Sequence, residues 1–539
     1  MGQEYSHTTV SEAIYKLVAE SCWFSPEWYA ERYPDVSLSG LDPLTHYLRV
    51  GEPLGRQAGP YFDAGYYREC YQDVAQANIS PLVHYIQNGE REGRAGIRLL
   101  ARVQETQLWE RENVESCLAE LAVLLDSQNP LEASYAGWAL ARWYAWQGEW
   151  HRCTKAIAVC MAHPSLPPNA PATRLLYMEA LSRCGQYVDA YIQWQTLQVR
   201  HPDYLDAHLA MANLLSAQGG ALEKANLQAW RLQDTFRLES INTLYQQAGV
   251  APLVCHQPSQ PLTLEALTPS VITPRSAAQT ITVSVIIPTY NAEAYLATAL
   301  HSLTCQTLAA IEILVVDDAS TDNSLSIAQH FAAKDKRVRV IPQPKNQGAY
   351  AARNRGLKEA KGCFITVHDS DDWSHPEKLA RQVAALEANP AWVACLSDMV
   401  RCTTALYFGR WRIAEADGWI YRNTSSLMVR RDVVEALGYW DRVRCSADTE
   451  YLHRIWAAYG QQACGKVLPG VPLSLCRDEP TSLSQAGPTH LVTQFKGVRY
   501  DYMTAAHEWH ATASRAEDLY LPDYPKKRPF LSPALNLPR

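Results

Sequence analysis

The chain has 539 residues, of which 47% are hydrophobic and 19% charged, and its formal net charge is −7. That length exceeds what one hydrophobic core usually supports, so about three to four domains are expected. The acidic balance lacks the broad basic footprint of a nucleic-acid binder, and no apolar run approaches the length of a transmembrane span, so any membrane association is peripheral.

The fourteen cysteines form no C-x-x-C pair, which signals neither a zinc site nor a disulfide framework. Cys117, Cys153 and Cys160 lie in apolar helical context and read as small buried hydrophobes. A reduced, cytoplasmic compartment follows, with attachment at most to the surface of the inner membrane. The N-terminal stretch has no charged-then-apolar signal pattern. Met1-Gly2 with Ser6 meets only the sparse myristoylation pattern, a eukaryotic signal with many false positives. The single basic run, Lys526-Lys527-Arg528, reads as a solvated tail rather than a lipid contact.

Residues 1–100 contain an internal repeat. Phe24-x4-Tyr29-x3-Tyr33-x-Asp35-Val36 recurs as Phe62-x4-Tyr67-x3-Tyr71-x-Asp73-Val74, a shift of 38 residues. Pro43-Leu44-x-His46-Tyr47-x3-Gly51-x3-Gly55-Arg56 recurs at the same shift as Pro81-Leu82-x-His84-Tyr85-x3-Gly89-x3-Gly93-Arg94. So many identities at one offset describe two copies of a small helical unit with aromatics packed between them. His46 and His84 are expected to be packing residues, repeated because the unit is repeated.

Residues 101–250 are Ala-rich and helical in period. Gly148-Glu-Trp150, Gly185-Gln-Tyr187 and Gly219-Gly-Ala221 recur at intervals of 37 and 34 residues, and Ala190 and Pro202 follow Gly185 by five and seventeen. This pattern resembles a tetratricopeptide repeat, in which glycine turns a helix pair and proline ends the second helix. Such arrays often present a groove to a protein partner, and a plain spacer is the alternative. Residues 251–280, rich in Pro, Ser and Thr, read as a linker.

From Ile281 the pattern becomes strand, helix, strand, helix, which predicts an α/β domain with a mostly parallel sheet. The strands are read at 281–287, 311–316, 338–341 and 363–367. Acidic clusters follow two of them: Asp317-Asp318 with Asp322, and Asp369-Ser370-Asp371-Asp372. Ligands of such sheets bind beyond the carboxyl ends of the strands, where these acids lie. Taken alone, Asp317-Asp318 reads as a helix cap and Asp369-x-Asp371 as a solvated turn. Their order carries more weight: a strand into P-T-Y-N, a second into D-D-x-S-T-D, then N-x-G-x4-R-N-x-G, then D-S-D-D-W.

That ordered set resembles the family 2 glycosyltransferases, with their GT-A nucleotide-diphosphosugar fold, over roughly 200 residues, about 281–480. The 38-residue unit resembles modules found beside such domains in bacterial polysaccharide enzymes, and residues 481–539 are left as a C-terminal extension. The resemblance implies a nucleotide-sugar donor, UDP-linked, and a saccharide, lipid-linked or protein acceptor. It places Pro288, Tyr290 and Asn291 in the nucleotide pocket, with Glu293 facing it. Asp318 would accept a hydrogen bond from the pyrimidine imide, with Asp317 beside it. Asp369 and Asp371 would hold a divalent metal, Mn or Mg, against the donor diphosphate, since a hard cation held by carboxylates neutralises a dianionic leaving group. Arg353 would meet the diphosphate or pair with one of these acids.

On the acceptor side, S-A-D-x-E-Y-L-x-R matches the family with Asp448 as general base, capped by Ser446 and supported by Glu450 and Arg454. Here Ala447 stands where the family usually has an acid. Arg477, in Leu475-Cys-Arg477-x4-Ser482-Leu-Ser484, resembles a closing-loop contact to the diphosphate. One base, one metal and no covalent nucleophile imply a single in-line displacement that inverts the anomeric carbon. A retaining route would need a second carboxylate there, and none is evident. A nucleotidyltransferase or a dinucleotide-binding dehydrogenase would need a glycine-rich phosphate loop that PTYNAEAYL does not supply. A helical scaffold with an inactive transferase domain is the non-enzymatic alternative, and retention of Asp318, Asp369, Asp371 and Asp448 speaks against it.

Overall fold

The computed structural model describes residues 11–538 apart from 78, 91, 93, 164–167, 169, 223–226, 257–259, 270–280, 414–416 and 479–486. Met1, Gly2, Ser6, Ser482, Ser484 and the last part of the expected linker therefore lie outside the described residues. The chain divides into two compact units, Met1–Cys184 with Arg412–Asp417, and Gly185–Trp411 with Gly418–Arg539. No helix among the described residues is long and apolar enough to cross a membrane.

Among its described residues, the first unit has helices and one short ladder, Gln57–Gly59 against Phe62–Asp63. The Tyr29 hydroxyl meets His46 Nδ1 at 3.1 Å, and the Tyr67 hydroxyl meets His84 Nδ1 at 3.0 Å. The same hydroxyls lie against Gly51 and Gly89, where an added Cβ would sit 2.0 and 2.2 Å from them. Arg56 pairs with Asp35 and stacks on Tyr33, and Arg94 does the same with Asp73 and Tyr71. Buried Glu52 accepts from Ser80 Oγ and the Leu82 amide, so the earlier segment caps a helix of the later one. Farther on, the helix Pro130–Gln147 ends at Gly148, whose φ of +75° is the left-handed turn that stops a helix. The unit boundary falls at Gly185. The helical stretch expected as one module over 101–250 is thus shared between two units.

The second unit is built on a nine-stranded sheet. Its strands are β1 (Val283–Thr289), β2 (Ile311–Asp317), β3 (Val338–Pro342), β4 (Phe364–Val367), β5 (Trp373–Ser374), β6 (Ala394–Cys402), β7 (Phe408–Gly409), β8 (Tyr421–Arg430) and β9 (Cys464–Arg477). They lie in the order β3-β2-β1-β4-β8-β6-β9-β5, with β7 on β6. The β3-β2-β1-β4 half is parallel; β8 joins antiparallel, and β6 and β9 pair parallel. The fold is therefore the expected α/β class, a mixed sheet following a long helical region. Alternation along buried strands sends side chains to opposite faces. Val285 and Ile287 join one apolar core while Ile286 joins the other. Helix α3 (Leu296–Thr304) and helix α5 (Lys378–Ala388) cover the first face. Helices α4 (Ala349–Glu359), α6 (Ala447–Tyr459) and α7 (Val498–Ala511) cover the second.

The unit also contains α1 (Asp206–Leu222) and α2 (Leu227–Gln247). Asn213 exchanges two 2.7 Å bonds with the backbone of Phe408, which satisfies the open edge of β7. Asp206 accepts the amides of Trp419 and Ile420, and Tyr245 donates to the Pro472 carbonyl. The segment after α2 is equally attached. Ala251 bonds both Glu377 and His375, and Leu264 bonds Thr404. Residues 251–269 thus lie inside the α/β unit rather than between domains, because the sheet's later strands need these helices to cover their backbone.

A fragment 185–539 should accordingly unfold cooperatively on its own, whereas 281–539 should be insoluble or unfold without a transition in circular dichroism. Asp206→Ala leaves two buried amides without an acceptor and should cost about 2–4 kcal/mol in chemical denaturation. Burial pushes the Asp206 carboxyl up to about 6. The folded chain therefore holds that proton more tightly than the unfolded chain. Stability should fall as pH rises from the ordinary carboxylate range through about 6, and Asp206→Asn should flatten that fall.

Candidate active site

The acids predicted from sequence gather at the carboxyl ends of β1, β2 and β4. Asp317 closes β2 opposite Thr289 of β1, and the His368 amide bonds the Ile286 carbonyl as the chain leaves β4. Asp318 follows Asp317 and accepts from Gln343 Nε2 at 2.7 Å, the Gln347 amide at 2.9 Å and the Gly348 amide at 2.7 Å. Gly348 reaches that carboxylate at φ +91°, a conformation side-chain-bearing residues avoid. Burial pushes the Asp318 carboxyl above the ordinary range, against these donors. Its acceptor capacity, expected for a base edge, is thus largely spent on the 343–348 loop. Asp317 is buried, and its Oδ1 has no hydrogen-bond partner among the described residues.

The P-T-Y-N loop is stitched to the D-D-A-S-T-D loop. Asn291 Oδ1 accepts the Thr321 amide at 2.8 Å. Glu293 Oε2 accepts the Asn323 amide and Nδ2 at 3.0 and 2.9 Å, while the Glu293 amide donates to Asp322 Oδ2. Asn291 and Glu293, expected to line the nucleotide pocket, thus each place one side-chain oxygen on the neighbouring loop. Pro288 is buried in β1 and Tyr290 is half exposed.

Arg353, on α4, is buried and bonds Asp369 Oδ1 at 2.8 Å. Of the two roles expected for it, the structure displays the pair with an acid. Ser425 Oγ on β8 bonds Asp369 Oδ2 at 2.7 Å. Burial opposes a charge on Asp369, but the Arg353 guanidinium holds its carboxyl below the ordinary range. Asp371 is pushed up to about 6 by burial and by the Asp369 charge, and Asp372 to about 8 by burial and by both neighbours. Burial also brings Lys378 down to about 8. Asp369, Asp372, Lys378, Asn423, Ser425 and Ser474 line one tight cleft. Of the three acids, Asp369 is bonded to Arg353, and Lys378 lies in the same cleft. Among the described residues no group of three or more His, Cys, Asp or Glu side chains is arranged to hold a metal ion. A cation here would rest on two carboxylates and on oxygens from a ligand.

Asp448 is the second residue of α6, and its Oδ1 accepts the Tyr350 hydroxyl at 3.0 Å. The Tyr350 ring lies 5.0 Å from the Arg353 guanidinium carbon. Tyr350 and Arg353 thereby connect Asp448 to Asp369, and neither Tyr350 nor Ser425 was singled out in the sequence. Tyr350 was hidden because its spacing from Asp448 is 98 residues.

Four further residues named from the sequence are already bonded within the protein. Ser446 stands before α6 but makes no side-chain cap; its φ is +70° and its hydroxyl accepts from Arg499 instead. Glu450 is fully buried, held by Arg454 Nε and Nη2 at 2.9 and 2.8 Å and by His510 at 3.0 Å. Arg454 also donates to the Leu437 and Tyr439 carbonyls. Glu450 and Arg454 therefore tie α6 to its neighbours. Arg477 is buried too, bonded to Glu265 and Thr404 and stacked on Tyr295, so its guanidinium is committed before any phosphate arrives.

Comparison with known proteins adds one decisive observation. Residues 284–439 match the family model for glycosyl transferase family 2. A domain of that family lies in the C-terminal half of the chain. An uncharacterized glycosyltransferase of Haemophilus influenzae is 46% identical over 101 residues, 19% of this chain and 40% of that protein. Glycosyltransferase GlyG of Streptococcus pneumoniae serotype 4 is 47% identical over 90 residues, 17% of this chain and 30% of that protein. The chain thus spans less than half the length of these curated relatives. Among solved structures, S. aureus TarS 1–349 in complex with UDP-GlcNAc aligns at 19% identity and a TM-score of 0.34, covering 44% of this chain and 74% of that one.

Because Glu450 and Arg454 form a buried pair, Glu450→Gln leaves a buried guanidinium uncompensated. It should cost about 3–5 kcal/mol. Denaturant titration should show this loss; a variant as stable as the parent would show that the pair does not tie α6 down.

Proposed function

We propose that the chain transfers a sugar from a nucleoside-diphosphate sugar, UDP-linked, to a hydroxyl of a saccharide, lipid-linked or protein acceptor, with inversion, in the synthesis of cell-surface glycans. The observation that carries this reading is the connection of two carboxylate sites through one pair of residues. Asp448 on the acceptor side and Asp369 on the donor side meet at Tyr350 and Arg353.

Asp448 takes the proton from the acceptor hydroxyl as that oxygen attacks the anomeric carbon. The bond from that carbon to the diphosphate oxygen breaks, and the electron pair leaves with the nucleotide. Tyr350 holds the base in place by donating to one of its oxygens, leaving the other for the acceptor. Asp369 and Asp371 would hold Mn or Mg, which when bound supplies positive charge to the departing diphosphate. The raised Asp371 carboxyl supports this, because burial and the Asp369 charge disfavour its ionisation until a cation is present. Asp317, whose buried Oδ1 has no hydrogen-bond partner among the described residues, stands beside Asp318 as a second acceptor for a base edge.

Calorimetry should detect UDP binding with Mn²⁺ present and lose it when EDTA is added; equal affinity in both would overturn the metal assignment. Asp448→Asn should keep that affinity while transfer falls by about two to four orders of magnitude. Asp371→Asn should instead weaken metal-dependent UDP binding, because a neutral amide is a poor ligand for a hard cation. Undiminished transfer by Asp448→Asn would remove it as the base.

A further inference from the structure

We infer that the strap formed by residues 519–537 is a docking surface for an anionic lipid bilayer. This inference goes beyond the transferase reading and does not depend on it. The strap is pinned along its length. Leu521 exchanges backbone bonds with Leu437 and Tyr439 at 3.0 and 2.8 Å. Asp523 is buried and accepts from Asn354, Lys358 and Arg442. Arg528 bonds Asp441, Phe530 packs on Tyr502 and Trp509, and buried Asn536 bonds Cys445.

These anchors decide which side chains face outward. Tyr520 is 45% exposed, Leu531 85%, Leu535 58% and Leu537 37%; Tyr524 is 66% exposed, with one face of its ring on Arg442 at 3.7 Å and its hydroxyl donating to Gln347. Lys526 and Lys527 between them are exposed as well, and no partner is recorded for either among the described residues. Large apolar side chains held into water by a strap with buried anchors on both sides are not a loose tail. Such a surface has a use when something covers it.

Charge identifies the occupant. Between Leu519 and Leu537 the exposed charges are Lys526 and Lys527, since Arg528 is paired with Asp441 and Asp523 is buried, in a chain whose net charge is −7. Asp523 is spent on three donors. An anionic headgroup layer attracts lysines, tyrosine rings favour the interfacial zone, and leucines enter the acyl boundary. Stable attachment without a membrane span needs two signals, and apolar insertion plus basic charge supplies both. The anchors at 437–445 lead directly into α6, which begins at Ala447 and carries Asp448. Docking by the strap therefore brings the start of α6 toward the lipid surface.

Co-sedimentation of the full chain with vesicles tests this directly. The chain should sediment with equimolar phosphatidylglycerol–phosphatidylcholine vesicles and not with phosphatidylcholine alone, and added salt should release it. Reversing both charges, Lys526→Glu with Lys527→Glu, should weaken binding by about thirtyfold or more, at roughly fivefold per lysine lost. Leu531→Ser with Leu535→Ser should also weaken it, with an unchanged melting temperature because these side chains are exposed. A chain that stays in the supernatant with anionic vesicles, or variants that sediment as the parent does, would overturn the inference. UDP binding in calorimetry reports on the proposed function separately, so failure of one is distinguishable from failure of the other.

Discussion

Arg353 carries a charge that burial alone would disfavour, and the candidate site is arranged around its compensation. Asp369 supplies one partner at 2.8 Å and the Tyr350 ring supplies a negative face at 5.0 Å. Because Tyr350 also bonds Asp448, the position of the late acid depends on where α4 sits. That depth is set by Gly356 on the same helix, where a Cβ would lie 2.5 Å from Ile286 Cγ2 on β1. A packing contact in the core thus fixes a polar geometry at the sheet edge. The cost of burying the guanidinium is tolerable only because its partners are in place before any ligand binds.

The loops around this centre are coupled in the same way. Asp318 gathers the 343–348 loop, Asn291 and Glu293 join the loops after β1 and β2, and Ser425 brings β8 to Asp369. Each side chain closes a gap between segments far apart in the chain, so moving one loop is opposed by its neighbour. The later half of the sheet relies on helices that precede it. Asn213 covers β7, Asp206 the approach to β8, and Tyr245 a carbonyl in β9. These are backbone groups that would otherwise be buried without partners.

Strand β9 illustrates why part of the sheet was not legible. Its fourteen residues include Gly465, Pro469, Gly470 and Pro472, which break the apolar run that marks a strand. The pairing with β6 jumps from Val467 to Pro472, and Gly470, at φ +82°, donates to Asp398. Only the neighbouring strand and that carboxylate make the irregular segment a strand. By contrast, β1 and β2 are buried at every position, and predominantly apolar runs announced them within two residues of their ends.

What the sequence determined by itself is therefore the local and periodic part. It carried the 38-residue recurrence, the parallel strands, the acids beyond their carboxyl ends, and Asp448 at the start of a helix. Each of these is written in adjacent residues or in a fixed spacing. Tertiary structure decided which of those polar groups are spent. It placed Glu450, Arg454 and Arg477 in closed ion pairs, left an oxygen of Asp317 without a partner, and joined Tyr350 to Asp448 across 98 residues. It also drew residues 185–269 into the α/β unit. A residue type states what bonds a side chain is able to make; which bonds it does make depends on burial and on partners that only folding brings within reach.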